Sequence, residues 1–148
     1  MKKCTLALGC FWKPEENFKN QPGIIETEVG YAGGLSDKVT YEEVCKGDTG
    51  HAEVVRLTFD EKVISFKKIL DLFFKMHDPT QKDMQYPDVG TQYRSEIFYE
   101  TDQQKIEASE ILNQFNEKLN GKIQTNISKI KNYCKAEEYH QKYIEKNK

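Results

Sequence analysis

The chain has 148 residues, of which 37% are hydrophobic and 31% are charged, and its formal net charge is -2. This length fits one domain around one core, and the residue balance is that of a globular protein rather than a disordered or membrane-spanning one. So small a net charge gives no global field that favours nucleic acid or anionic lipid, and no apolar run approaches the roughly 20 residues of a membrane span.

The hydrophobic pattern predicts interleaved strands and helices. In chain order they are a strand at 5–8, a helix whose first turn holds Pro14, strands at 24–31 and 52–59, a helix at 65–76, a strand at 95–99, a helix at 102–119, a strand at 123–130 and a terminal helix at 136–146. Ser65 is the expected N-cap of the helix at 65–76, and residues 78–93 have the Pro, Gly and Asp content of a loop. The interleaving favours an α/β (α+β) single domain, 1–148, with a mixed sheet.

The N-terminal apolar stretch is too short for a signal peptide, and Trp12, Lys13 and Glu15 follow it at once. We therefore expect a cytoplasmic protein. The mixed polar and apolar pattern gives no sign of a large obligate interface, so we expect a monomer.

The four cysteines, Cys4, Cys10, Cys45 and Cys134, form no C-x-x-C pair, which argues against a zinc ribbon or a thioredoxin-type motif. Cys4 and Cys45 are expected to be small buried hydrophobes. The three histidines lack ligand spacing, so we expect no metal and no cofactor.

Cys10 lies where a strand gives way to a helix, near free backbone N–H groups and the positive end of the helix dipole. Both favour a thiolate, while Glu15 and Glu16 oppose it, so we expect a modestly lowered pKa. By itself Cys10 fits a reactive or a buried structural thiol equally well. Phe11 and Trp12 follow it and fit either an apolar slot for a substrate methyl group or ordinary core packing.

Other candidate side chains stand at the ends of strands and loops. Glu53 opens an apolar strand, where desolvation would raise its pKa and suit a general acid, unless it is an edge carboxylate facing water. Tyr41 and Tyr93 offer hydroxyl donors and Asp88 an orienting carboxylate, with half-buried tyrosines and a capping Asp as the alternatives. His51 fits a base or a structural histidine, and the run HDPT at 77–80 fits a helix stop.

Six motifs in order resemble the class A peptide-methionine (S)-S-oxide reductases. They are GCFW at 9–12, VGYAGG at 29–34, YEEVC at 41–45, GHAEVV at 50–55, HDPT at 77–80 and DVGTQYRS at 88–95, and the likeness continues through AEEYHQ at 136–141. The resemblance implies a two-layer α-β plait sandwich around a mixed sheet. It implies thiol-dependent reduction of the S-epimer of methionine sulfoxide, free or in oxidised proteins, with thioredoxin or a small thiol as reductant.

The same resemblance implies a role for each candidate. Cys10 would be the nucleophile and would be converted to a sulfenic acid, and Glu53 would protonate the sulfoxide oxygen. Tyr41 and Tyr93 would hydrogen-bond that oxygen with help from Asp88. Phe11 and Trp12 would form the pocket for the methionine methyl group, whose rim the unusual Lys13-Pro14 pair would alter.

Recycling of the sulfenic acid departs from the family pattern. Many relatives carry recycling cysteines in a C-terminal tail, whereas no cysteine follows Cys134 here. Cys134 is therefore the predicted resolving thiol, and direct attack of an external thiol on Cys10 is the alternative.

Two other functions compete with this hypothesis. One is a thiol peroxidase in which Arg56 or Arg94 supports a Cys10 thiolate, and the other is a non-catalytic module that binds oxidised methionine. Substitution of Cys10 by Ser distinguishes them, because the reductase alone loses sulfoxide turnover while it keeps binding.

Overall fold

The computed structural model describes residues 1–148, and its strands and helices alternate along the chain. The strands are β1 (Lys2–Leu8), β2 (Ile24–Ala32), β3 (Ala52–Phe59), β4 (Met84–Gln85), β5 (Asp88–Val89), β6 (Ser95–Tyr99), β7 (Asn126–Lys129) and β8 (Cys134–Lys135). The α-helices are α1 (Trp12–Lys19), α2 (Tyr41–Cys45), α3 (Phe66–Met76), α4 (Asp102–Lys118) and α5 (Tyr143–Lys146), and two 3₁₀ helices cover Thr91–Tyr93 and Glu138–His140. None of the helices is long and apolar enough to span a membrane.

A six-stranded sheet in the order β7-β6-β1-β3-β2-β8 forms the centre of the fold. Neighbouring strands are antiparallel except β6 and β7, which pair in parallel after the chain has crossed over through α4. The two-residue strands β4 and β5 form a separate hairpin. The predicted α/β (α+β) class and its mixed sheet are thus confirmed.

The alternation of side chains along the central strands produces an apolar cluster on each face of the sheet. The larger cluster joins strand residues such as Leu6 and Leu57 to Phe18 of α1, Phe73 of α3 and Ile111 of α4. A smaller cluster on the other face consists of Ala7, Ala32, Ala52, Val54 and Phe98. On β3 the residues that enter the larger cluster are 55, 57 and 59, so Glu53 shares their parity and faces the helix-covered side.

Several predicted boundaries are confirmed. The strands at 52–59 and 95–99 match β3 and β6, and the helix that contains Phe66–Met76 begins after Ser65, whose side chain accepts from Lys68 N at 3.0 Å. This N-cap satisfies a backbone donor that the first helical turn leaves free.

The prediction for the C-terminal quarter is wrong in two places. The strand expected at 123–130 is shortened to Asn126–Lys129, and the helix expected at 136–146 is replaced by the 3₁₀ helix at Glu138–His140 and the short α5. Contacts with β2 and α1 determine the conformation of this segment: Gln141 Oε1 accepts from Val29 N at 2.9 Å, and Lys142 N donates to Glu15 Oε1 at 2.6 Å with φ of +52° at Lys142.

The helix α2 was not predicted from the sequence pattern. Its first turn is closed by a capping box, in which the side chain of Thr40 accepts from Glu43 N and the side chain of Glu43 accepts from Thr40 N. The helix buries Val44 and presents Tyr41 at its first position. Residues 78–93, expected to be loop, also contain the β4–β5 hairpin and a 3₁₀ helix.

Candidate active site

Cys10 lies in the bend between β1 and α1 and is half-buried. Gly9 has φ of +95°, and a Cβ there would lie 2.9 Å from Gln85 Cγ, so glycine lets the β4–β5 hairpin pack against the bend that carries the thiol. Burial raises the pKa of Cys10 to about 12 and outweighs the hydrogen bond with the Trp12 N–H, which lowers it. The expected lowering of this pKa is therefore wrong, and the resting thiol is protonated at neutral pH.

Glu53 is 1% exposed, so the predicted burial of its carboxyl at the start of β3 is confirmed. Phe11 N donates to Oε1 at 3.2 Å, and Oε2 makes no hydrogen bond to the protein. Burial raises the pKa of Glu53 to about 8; the bond from Phe11 N lowers it, and the charge of Asp88 raises it. The structure thus holds a neutral carboxylic acid with one oxygen fixed and the other available to donate.

Tyr41 and Tyr93 stand on separate short helices. Tyr41 begins α2 and its backbone N donates to Glu137 Oε2 at 2.9 Å, while Tyr93 ends the 3₁₀ helix that follows the hairpin. Burial raises the pKa of both phenols, and the charge of Glu53 raises them further, so both stay protonated donors.

The candidate side chains form one electrostatically connected group. Asp88 raises the pKa of Cys10, Glu53 and Tyr93, and Cys45 raises that of Cys10, Tyr41 and Tyr93. Hydrogen bonds connect parts of this group: Phe11 N, which follows Cys10, donates to Glu53 Oε1, and Gln92, which precedes Tyr93, donates to the carbonyl oxygen of Cys45. The structure therefore brings these side chains together: Cys10, Tyr41, Cys45, Glu53, Asp88 and Tyr93.

Phe11 and Trp12 differ in their surroundings. Phe11 is 1% exposed, and its ring lies 5.7 Å from that of Tyr31 and 5.2 Å from that of His140, so its side chain is part of the core. Trp12 is half-buried, and its Nε1 donates to His140 Nδ1 at 3.0 Å. Its indole stacks on Tyr143 with ring centroids 3.8 Å apart, which leaves an edge accessible next to the thiol segment.

The 137–141 segment supports the site in a way that sequence reasoning missed. Glu137 accepts from the Tyr31 hydroxyl at 2.8 Å and from Tyr41 N, and so ties β2 to α2. The His140 ring lies 4.4 Å from the ring of Tyr41 and also holds Trp12. The only available signal was the AEEYHQ motif, to which the resemblance attached no role.

The other cysteines divide into three environments, and all four thiols are free. Cys4 is fully buried, as predicted. Cys45 is exposed, so the expectation of a buried Cys45 is wrong: it ends α2, whose buried contact is made by Val44 instead. Cys134 is half-buried on β8, with Sγ 3.6 Å from the carbonyl oxygens of Val39 and Lys135.

The remaining candidate groups have structural partners. His51 is 1% exposed and its Nε2 bonds to Ser36 O at 2.8 Å, while His77 bonds to Phe73 O and Ser95 Oγ at 2.7 Å. No group of three or more His, Cys, Asp and Glu residues is arranged to hold a metal ion. Both arginines that a peroxidase would need are paired, Arg56 with Glu100 at 3.0 Å and Arg94 with Glu96 at 2.6 Å.

Comparison with known proteins gives a consistent result over the whole chain. The sequence matches the family described as "Peptide methionine sulfoxide reductase" over residues 2–148. A Pelagibacter ubique protein named peptide methionine sulfoxide reductase MsrA is 57% identical over 146 residues, which cover 99% of this chain and 99% of that protein.

Solved structures agree with the sequence match. Reduced Mxr1 from Saccharomyces cerevisiae has a TM-score of 0.95 and 43% identity, and the match covers 99% of this chain and 85% of that one. Mxr1 in complex with Trx2 has a TM-score of 0.68 and 30% identity, with coverage of 96% and 84%.

Proposed function

The chain belongs to the peptide methionine sulfoxide reductase family, an enzyme family that converts methionine sulfoxide to methionine, and we propose that Cys10 is the nucleophile of this reaction. The observation that carries the proposal is the proximity of a half-buried thiol to Glu53, a buried carboxyl that still holds its proton near neutral pH. A sulfoxide oxygen leaves poorly until it is protonated, so the nucleophile and the acid must act on one substrate.

In the proposed first step, Cys10 Sγ attacks the sulfoxide sulfur while Glu53 protonates the sulfoxide oxygen through Oε2. The sulfur–oxygen bond of the substrate breaks and the oxygen passes to Cys10 as a sulfenic acid. The methionine sulfur gains two electrons, which the Cys10 sulfur loses. The proton released by the thiol returns to Glu53, so the carboxyl ends the step as it began.

The tyrosines and the aromatic residues orient the substrate. The hydroxyls of Tyr41 and Tyr93 donate to the polarised oxygen. The charge of Asp88 raises the pKa of Tyr93 and so helps to keep its hydroxyl protonated. Trp12, with the Phe11 ring behind it, provides the apolar wall for the methyl group. With the sulfur attacked by Cys10, the oxygen held by the tyrosines and the methyl group held by Trp12, the site can select one epimer. The family resemblance implies that this is the S-epimer, in free methionine sulfoxide or in oxidised proteins.

Regeneration requires a dithiol or another thiol to remove the sulfenic acid. The structure of Mxr1 in complex with Trx2 supports thioredoxin as the reductant of this chain. Free cysteines throughout the chain fit a reducing compartment such as the cytoplasm, where the enzyme acts as a single catalytic domain in the repair of oxidised proteins.

The proposal is tested by measuring the reduction of separate S- and R-epimers with dithiothreitol. We expect the wild-type chain to convert the S-epimer, and Cys10→Ser to convert neither while it stays folded. Cys4→Ala is the matched control, since it removes the thiol of β1, which lies outside the site, and should keep turnover. Turnover by Cys10→Ser, or none by the folded wild type, overturns the assignment.

A further inference from the structure

The thiol that resolves the Cys10 sulfenic acid can be identified from the arrangement of the cysteines. We infer that Cys45, rather than Cys134, attacks the oxidised Cys10 and forms an intramolecular disulfide with it. This inference rests on the proposed role of Cys10 and adds a catalytic residue to the site.

Cys45 is connected to both tyrosines that are proposed to bind the substrate oxygen. It follows Tyr41 by four residues on α2, which places both side chains on one face of the helix. Its carbonyl oxygen accepts from Gln92 Nε2 at 3.4 Å, and Gln92 directly precedes Tyr93. Cys45 is therefore close in the fold to both residues that are proposed to hold the substrate oxygen.

The electrostatic connections of Cys45 point the same way. Hydrogen bonding with the Cys45 thiol raises the pKa of Tyr41, and the charge of Cys45 raises the pKa of Cys10 and of Tyr93. At the same time Cys45 is exposed, so a disulfide that contains it is accessible to an external dithiol.

Cys134 is held differently. It pairs with Tyr31 across the β2–β8 ladder, and Ala136 N donates to Val29 O at 3.0 Å immediately after it. A disulfide requires Cα atoms about 4.4–6.8 Å apart. Movement of Cys134 toward Cys10 would have to break these contacts between β8 and the edge of the sheet.

The approach of Cys45 needs a smaller change. It ends a five-residue helix, and residues 45–48, which follow the buried Val44, are exposed. Releasing Cys45 from the end of α2 can leave the buried Val44 in place, so the packing of this helix against the core is kept.

The step balances without an additional reactant. The Cys45 sulfur attacks the Cys10 sulfur, the sulfur–oxygen bond of the sulfenic acid breaks, and the hydroxyl leaves as water with the proton of the Cys45 thiol. The resulting Cys10–Cys45 disulfide is then reduced by the two thiols of the external reductant. The reaction of the sulfoxide supplies the only oxidising equivalent.

The test is a single turnover with the S-epimer of methionine sulfoxide and no reductant, followed by alkylation, digestion and mass spectrometry. Cys45 and Cys134 fall in different tryptic peptides, bounded by Lys38 and Lys46 and by Lys131 and Lys135. We expect a Cys10–Cys45 disulfide in the wild type and in Cys134→Ser. In Cys45→Ser we expect a Cys10 sulfenic acid that reacts with dimedone.

Methionine released per enzyme in the same experiment reports the first step separately. Its absence from wild-type reactions would refute the proposed function, whereas release with a Cys10–Cys134 disulfide, or with a persistent sulfenic acid, would refute only the role of Cys45. The peptide map of the wild type decides the pairing even if a variant fails to fold.

Discussion

Replacing Glu53 by Gln separates proton donation from every other property of this side chain. Gln keeps the volume of Glu, and its Oε1 can still accept from Phe11 N, the only protein hydrogen bond of the carboxyl. An amide in place of Oε2 can hydrogen-bond the sulfoxide oxygen but cannot transfer a proton to it. The variant should therefore fold normally and lose the first step of the reaction.

The expected loss follows from the size of general acid catalysis. Positioned acids accelerate reactions by about 10²–10⁴-fold, so Glu53→Gln should slow single-turnover release of methionine by this factor, or about 2.7–5.4 kcal/mol of transition-state stabilisation. The surface variant Glu26→Gln on the exposed part of β2 is the matched control and should retain the wild-type rate.

The pH dependence of the ratio between wild-type and Glu53→Gln rates gives the sharper test. Glu53→Gln has no titrating group at this position, so the ratio reports the protonated fraction of Glu53. Because the pKa of Glu53 is raised to about 8, the ratio should be constant below that pH and fall about tenfold per unit above it. Rapid-quench measurements between about pH 6 and about pH 10 cover this range. A ratio that does not change with pH, or a variant within a factor of about two of wild type, would refute the acid role of Glu53.

Three further predictions use the same geometry. Between about pH 4.5 and about pH 8, folded Glu53 holds a proton that the unfolded chain releases. The unfolding free energy of wild type should therefore fall by about 5 kcal/mol, relative to that of Glu53→Gln, as the pH rises through this range. Urea denaturation at several pH values measures the difference. Tyr93→Phe removes one donor to the sulfoxide oxygen and should lower the single-turnover rate about a hundredfold with unchanged thermal stability. Phe73→Ala removes a fully buried ring of the larger cluster and should cost about 3–5 kcal/mol by urea denaturation, whereas equal stability would show that the cluster refills the space.

Sequence reasoning found the elements whose signal is local. Apolar spacing and a capping Ser65 defined α3, and alternation defined β3, because both patterns are properties of neighbouring residues. The prediction of a terminal helix was wrong because contacts with residues distant in sequence determine the conformation of that segment. Gln141 and Lys142 bond to Val29 and Glu15, more than a hundred residues away, and these contacts override a helical pattern.

The candidate site was likewise predictable only where its signal is local in the sequence. The buried, proton-holding Glu53 followed from a carboxylate in an apolar strand, and the structure confirms its burial. The raised pKa of Cys10 could not be predicted, since the local effect of the helix start is opposed by burial beneath residues distant in sequence. The location of Cys45 depends on α2 and on Gln92, so no spacing in the sequence indicated it.

The raised pKa values of Cys10 and Glu53 have one cause and a joint consequence. Burial favours the neutral form of each group, so the free site holds two protons at neutral pH and no buried charge. A peroxide, which is attacked by the thiolate, therefore meets a protonated thiol with a pKa of about 12. In the proposed mechanism a bound sulfoxide differs, because its oxygen takes the proton of Glu53 and the resulting carboxylate can accept the thiol proton. Activation of Cys10 is thus tied to a substrate that carries a basic oxygen on sulfur, which distinguishes this reductase site from that of a thiol peroxidase.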